Sequence, residues 1–182
     1  MASSAAAQAT WEDLLDYGDD VPAEILAGVV VGGPPPAPRQ AGPVRALAGT
    51  LSTCAGWSVL VGVAVRLAKY DIVRPDLAAW HRERLSEPGE PPIDVVPDWV
   101  CEVTSPWTAA RDRRDKRTLY ARSRIPYYWI VDPDARTLEA MRLEEGRWVH
   151  LGTWGASDRA RIAPFERVEL ELGRLFPTSD GT

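Results

Sequence analysis

PDWVCEVTSPWTAARDRRDKRTLYARSRIPYYWIVDP, residues 97–133, sets two short apolar runs on either side of a charged stretch. Val96 to Ser105 is rich in β-branched and aromatic residues and reads as a strand, and so does Pro126 to Asp132. Between them, Thr108 or Asp112 opens a predicted helix that runs to about Ser123. Upstream, WSVLVGVAVRLA (residues 57–68) and DIVRPDLAAW (residues 71–80) are separated by a few residues only and predict an antiparallel strand pair. Apolar positions Val44, Leu47, Ala48 and Leu51 recur at helical spacing, so a core helix is expected from Pro43, suited to a first turn, to about Ala55. The central order is helix, strand, strand, strand, helix, strand, an α/β core with a mixed sheet.

Further out, residues 23–31 (AEILAGVVV) read as one strand and GGPPPAP, residues 32–38, as a stiff loop. Thr10 and Asp13 form a weakened capping box for a short helix that Gly18 ends, and residues 1–9 read as a disordered tail. Residues 10–178 are then one domain. RTLEAMRL, EEGR and WVHLGTW predict a C-terminal hairpin, and IAPFERVELEL, residues 162–172, one more strand. A polar, Pro-rich loop fills His81 to Asp94.

The chain has 182 residues, 45% of them hydrophobic, enough for one domain with a real core. Its start lacks the basic and apolar regions of a signal peptide, and no apolar run approaches the ~20 residues of a membrane span. A cytoplasmic protein without membrane contact is the expectation. Cys54 and Cys101 lie in apolar stretches outside any zinc-ligand spacing and are expected as buried thiols. A net charge of −5 excludes a protein that coats nucleic acid through a global positive field. Any nucleic-acid contact must be local, and residues 111–124 offer it: seven of the 21 Lys and Arg residues fall there, against two aspartates. Trp57, Trp80, Trp99 and Trp129 fall on core strands, while Trp107, in the loop ahead of the basic helix, is placed either to stack on a base or to anchor its loop.

Asp76 and Glu102 each interrupt an apolar strand stretch, where an unpartnered carboxylate is costly to bury. Strand alternation groups Asp76 with Ile72, Arg74 and Ala78, and Glu102 with Val100 and Thr104, so neighbouring strands could bring both carboxylates to one edge. Magnesium suits such a pair, since it takes one or two protein carboxylates, keeps its waters and accepts phosphate oxygens. Asp112, Lys116 and Tyr120 share one face of the following helix, and Lys116 could supply positive charge there. The plain alternative is a wet Asp112–Lys116 pair worth about 0.3–0.5 kcal/mol. With His81 and His150 the only histidines, and neither a G-x-S-x-G nor a P-loop present, triad hydrolases and P-loop enzymes are excluded.

Together these residues resemble the PD-(D/E)XK nuclease superfamily and, more closely, the Uma-two family of restriction-endonuclease-like proteins. The likeness rests on TWEDLL, AEILAGVVV, RPDLAAW, the whole 97–133 block and the hairpin RTLEAMRLEEGRW. It implies a restriction-endonuclease-like core, a DNA endonuclease activity dependent on Mg2+ or Mn2+, Asp76 and Glu102 as metal ligands, and Lys116 completing the catalytic set. The lysine that the superfamily places two residues after the glutamate is Thr104 here, and D-x-x-x-K supplies it as Lys116 instead. Glu24, Asp112 and Tyr120 are auxiliary candidates, and Gln40 stands where relatives often carry a histidine. Arg111, Arg113, Arg114 and Arg117 are the candidate nucleic-acid contacts. A homodimer is expected, because cutting both strands of a duplex is simplest with two sites about a two-fold axis. The competing reading is a nuclease fold that binds nucleic acid or a partner and no longer cleaves.

Overall fold

The computed structural model describes residues 8–17, 22–35 and 37–176. At its centre β7 (Trp99–Val103) and β8 (Tyr127–Asp132) run parallel, Glu102 level with Ile130. Parallel neighbours need a crossover, and the basic stretch supplies it as a helix over one face of the sheet. The other pairings are antiparallel, so the six-stranded sheet β10-β9-β8-β7-β6-β3 is mixed, as expected.

The paired runs upstream of β7 do form an antiparallel hairpin, but each breaks once. Gly62, at φ +59°, interrupts the first run, and Pro75, without an N–H, interrupts the second. The halves β3 (Trp57–Val61) and β6 (Leu77–His81) join the large sheet. The halves β4 (Val65–Ala68) and β5 (Asp71–Val73) turn away into a second sheet of order β2-β1-β5-β4. Asp76 therefore lies in a bend and not within a strand, and the alternation that grouped it with Arg74 and Ala78 does not apply.

AEILAGVVV is likewise a hairpin and not one strand. β1 (Ala23–Leu26) and β2 (Val29–Gly32) are joined by Ala27 and Gly28 at φ 51° and 78°. Positive φ at both central residues is the mirror-type turn that matches strand twist. Helix α2 (Pro38–Leu51) begins five residues before Pro43, with Pro38 in the first turn. Pro43 consequently sits inside the helix, where it cannot donate to the carbonyl four residues back. At the start of α2, Gln40 accepts the Ala37 N–H at 2.8 Å and donates to the Val103 carbonyl at 2.7 Å, tying the helix to β7.

α1 (Trp11–Leu15) is opened by Thr10, whose N–H meets Asp13 Oδ2 at 2.6 Å. Gly18 and residues 1–7 of the expected tail lie outside the described residues, and the Ala9 N–H bonds to the Gly28 carbonyl. The C-terminal hairpin forms as β9 (Thr137–Glu144) and β10 (Arg147–Gly155). The strand expected over residues 162–172 does not. Phe165 N–H closes a turn onto the Ile162 carbonyl at 2.8 Å, so both side chains enter the core instead of alternating. Only β12 (Leu170–Glu171) pairs, with β11 (Arg159–Ala160).

β7 divides the core. Trp99, Cys101 and Val103 face α2, packing with Leu47, Leu51, Trp129 and Phe165, while Val100 faces the crossover helix with Tyr120, Tyr128 and Ile130. Trp57, Trp80, Trp99 and Trp129 are buried, as are both free cysteines. Among the described residues, no helix is long and apolar enough to cross a membrane.

Candidate active site

Glu102 is on the crossover side of β7 and is 3% exposed. What makes that burial tolerable is the helix above it. This helix begins as α3 (Ala109–Arg111), widens into a π-helical turn over Asp112–Lys116, and continues as α4 (Arg117–Arg122). Single π turns inside α-helices occur frequently at functional sites. Here the turn holds both Asp112 and Lys116 inward, 2% and 3% exposed. The Tyr128 hydroxyl pins it from β8 by donating to the Asp112 carbonyl at 3.0 Å.

The wet Asp112–Lys116 pair does not form. Lys116 Nζ instead lies 2.9 Å from Glu102 Oε1 and 2.8 Å from Glu24 Oε1, a buried bridge between strands of the two sheets. Tyr120, one turn on, donates its hydroxyl to the same Glu102 oxygen at 2.5 Å. Both bonds to Glu102 fall on Oε1, so Oε2 carries no protein hydrogen bond among the described residues. Glu24 also accepts the Arg74 N–H at 2.6 Å. Asp76, in the bend before β6, accepts the Val103 N–H on Oδ2 at 2.7 Å and likewise leaves its other oxygen uncommitted.

Asp76, Glu102, Glu24, Asp112 and Lys116 all line one cavity of about 280 Å³. The bend did not scatter the residues. It sets Asp76 in the wall of the cavity that Glu102 also lines, with Asp76 bonded to the Val103 N–H next along β7. Arg74 and Arg111 line the cavity too, and Trp107, 80% exposed, lies at its mouth with Pro34 and Pro35. The nitrogen Nε of each arginine is buried without a partner, and so is Asp112 Oδ1.

Among the buried groups of the cavity, Glu24, Glu102 and Asp112 share one cation, Lys116, whereas Arg39, Arg74 and Arg111 line the cavity without being buried. Burial pushes Asp76 up to about 6, against the opposing pull of the Val103 N–H and Lys116. Burial raises Glu102 well above the ordinary glutamate value, with Lys116 opposing and the neighbouring carboxylates of Asp112, Asp76 and Glu24 adding to the rise. Asp112 is raised by burial as well. For Lys116, burial works to lower the value, but Glu102, Glu24 and Asp112 outweigh it and the ammonium is held above the ordinary lysine value. One buried cation thus faces more carboxylate than it can keep ionised. A divalent ion fits this donor set. Each of Asp76 and Glu102 has an oxygen to spare, and Asp112 Oδ1 lacks a partner. Among the described residues, no three His, Cys, Asp or Glu side chains are grouped as a metal cage.

The basic segment is largely spent on ion pairs. Arg113 pairs with Glu139 at 2.8 Å, Arg114 with Asp115 at 2.9 Å and Arg122 with Asp71 at 2.7 Å. Arg111 belongs to the cavity, while Arg113, Arg114 and Arg117 line an open groove on the outside of the helix that Arg147 completes from the β9–β10 turn. The sequence groups Arg74 with Asp76 without giving it a role at the site, and it sets Gln40 ahead of the core helix, whereas the helix begins at Pro38 and carries Gln40.

Residues 11–173 match the sequence profile of a family described as "Uma2: Putative restriction endonuclease". No curated protein matches the chain. A crystal structure from Anabaena variabilis, described as a "putative nuclease belonging to DUF820", is 17% identical and superposes with a TM-score of 0.67, spanning 92% of this chain and 97% of that one. At that identity the likeness shows a shared fold. The profile match, by contrast, runs through α1, both sheets and every cavity residue, and the chain belongs to the Uma2 family.

Proposed function

We propose that this chain is a metal-dependent endonuclease that hydrolyses phosphodiester bonds in DNA. The observation that carries the reading is the carboxylate surplus around Lys116, inside a cavity that also holds two arginines with unpartnered buried nitrogens. Asp76 and Glu102 would hold a Mg2+ or Mn2+ ion. When bound, such an ion supplies charge neutralisation at the scissile phosphate and a water of lowered pKa.

The chain's own groups do the rest. Tyr120 and Lys116 fix Glu102 through Oε1, so its orientation is set before any ligand arrives. The Val103 N–H does the same for Asp76. Lys116 is held protonated throughout the neutral range and stands against the extra negative charge of the pentavalent phosphorane, work that the uncharged Thr104 cannot do. Glu24 positions Lys116 from the second sheet. Arg111 and Arg74 line the cavity and would offer their guanidinium groups to a phosphate, and the outer groove of Arg113, Arg114, Arg117 and Arg147 would add sequence-independent backbone contacts.

The test is purified protein with supercoiled plasmid, in Mg2+, Mn2+ or chelator, beside Glu102→Ala. Nicking or linearisation is expected with metal only, and only from the unaltered chain. Cleavage that survives Glu102→Ala, or none under any metal, overturns the reading. The second outcome joined to retained DNA binding would mark a nuclease fold that has become a binding module.

A further inference from the structure

The cavity has a floor and a mouth of opposite character. On the floor, Glu102, Lys116, Asp112 and Glu24 are at most 5% exposed. At the mouth, Trp107 is 80% exposed, the largest value among the exposed hydrophobic side chains of the described residues. Pro34 and Pro35 line the same cavity. Arg111 spans the opening, its guanidinium 3.7 Å from where a Cβ on Gly33 would stand. A large apolar ring left in water next to a buried charge cluster has no packing reason to be there, since the core closes without it.

The phosphates of a duplex lie on its outside, whereas the faces of its bases are closed inside the stack. A ring exposed at the entrance of the cavity therefore meets a base face only where the strand is single or locally opened. An exposed indole at the entrance replaces the stacking so lost, because every base has a face that fits an aromatic ring. Arg111 and Arg74 line the same cavity and would meet the phosphate with their guanidinium groups.

The geometry points to Trp107 as a base-stacking residue and to a single-stranded or locally opened nucleic acid as the substrate class. The inference rests on the nuclease reading for the role of the floor, while the stacking itself does not need cleavage.

The experiment uses the full chain as Glu102→Gln, close in shape to the native residue, so that substrate survives. A mixed-sequence DNA 20-mer carrying one 2-aminopurine is titrated as a single strand and as a duplex, in Ca2+ and in chelator, with anisotropy and 2-aminopurine fluorescence as readouts. The single strand is expected to bind more tightly than the duplex, with quenching of the base. Adding Trp107→Ala should weaken single-strand binding about tenfold or more and abolish the quenching, whereas Trp107→Phe should stay within about threefold. At 80% exposure, Trp107 can be replaced without disturbing the fold, and unchanged thermal unfolding verifies this. Equal or tighter binding of the duplex, or an effect of Trp107→Ala no larger than that of Trp107→Phe, overturns the proposal. If the unaltered chain cleaves plasmid but Trp107→Ala changes nothing, the nuclease reading stands and this one falls. Tight, quenched single-strand binding without cleavage under any metal gives the reverse.

Discussion

The two faces of β7 are one residue apart and physically unlike. Trp99, Cys101 and Val103 look into a core where Trp129 meets Trp99 and Phe165 edge to face at 5.1 and 5.7 Å, with no charged group among its buried members. Glu102, between Cys101 and Val103, looks into a cluster of carboxylates, one ammonium and two buried phenols. The first face stabilises by removing apolar surface from water. The second gives some of that back in desolvated charge, which no apolar substitution of similar volume would require. A strand that carries both confines strain to one side and lets the other hold it in place.

The largest expected effect comes from breaking the charged face at Lys116. Lys116→Ala should cut metal-dependent cleavage by about 10² or more, the loss typical of removing a preorganised charge-stabilising donor. It should also cost about 3–5 kcal/mol of unfolding free energy near pH 8, because two buried glutamates lose their cation. Denaturant midpoints would show the deficit shrinking as the pH falls, because Glu102, already raised by burial and now without its cation, takes up a proton. A variant as stable as the parent across that range would mean that the bridge to Glu24 and Glu102 is absent in solution.

Trp129→Ala sharpens the contrast from the other side. The ring is fully buried and its Nε1–H bonds to the Ala163 carbonyl at 2.9 Å, so truncation should cost about 3–5 kcal/mol. None of the cavity's charged residues belongs to that core. At a temperature where the variant is folded, the increase in Tm on adding Mg2+ should match that of the unaltered chain, and a lost increase would tie the two faces together.

A smaller effect belongs to Asp76. Its native value of about 6 lies above the ordinary 3.8, so the folded state holds this proton more tightly than the unfolded chain. Its contribution to stability is therefore full below about pH 4 and is lost as the pH rises through about 6. Metal binding requires the ionised form and runs the other way. Mg2+ affinity, read from thermal shifts, should fall about tenfold per pH unit below about 6. Asp76→Asn should remove its part of both dependences and leave that of Glu102. A Mg2+ shift that is level from pH 5 to 8 would take Asp76 out of the metal site.

Much of the charged face was legible because charge in an apolar strand is conspicuous. Glu102 and Asp76 announced themselves in that way, and D-x-x-x-K placed Lys116. Its true partners did not show, since Glu24 is brought to it by a second sheet and no local pattern encodes that approach. The second sheet was itself illegible for a local reason. Gly62 and Pro75 each look like one tolerated irregularity in a long run, and only their coincidence across the hairpin bends both strands together. Ala27 hid the first hairpin, because a turn with positive φ ordinarily advertises itself with Asn or Asp before the Gly. The dual bond of Gln40 depends on where α2 starts, and helix ends are where sequence patterns speak least clearly.

The bend at Gly62 and Pro75 has a consequence in time as well as in space. The large sheet can assemble around β7 and β8 through their crossover, whereas Glu24 arrives from a hairpin near the start of the chain that pairs onto β5. Contacts between segments so far apart carry the greatest loop-closure cost and form late. Until the small sheet docks, Lys116 has half its counter-charge and Asp76 no fixed bend to sit in. The cavity is thus completed last, the crossover helix being in place before the second sheet brings the glutamate that anchors its lysine.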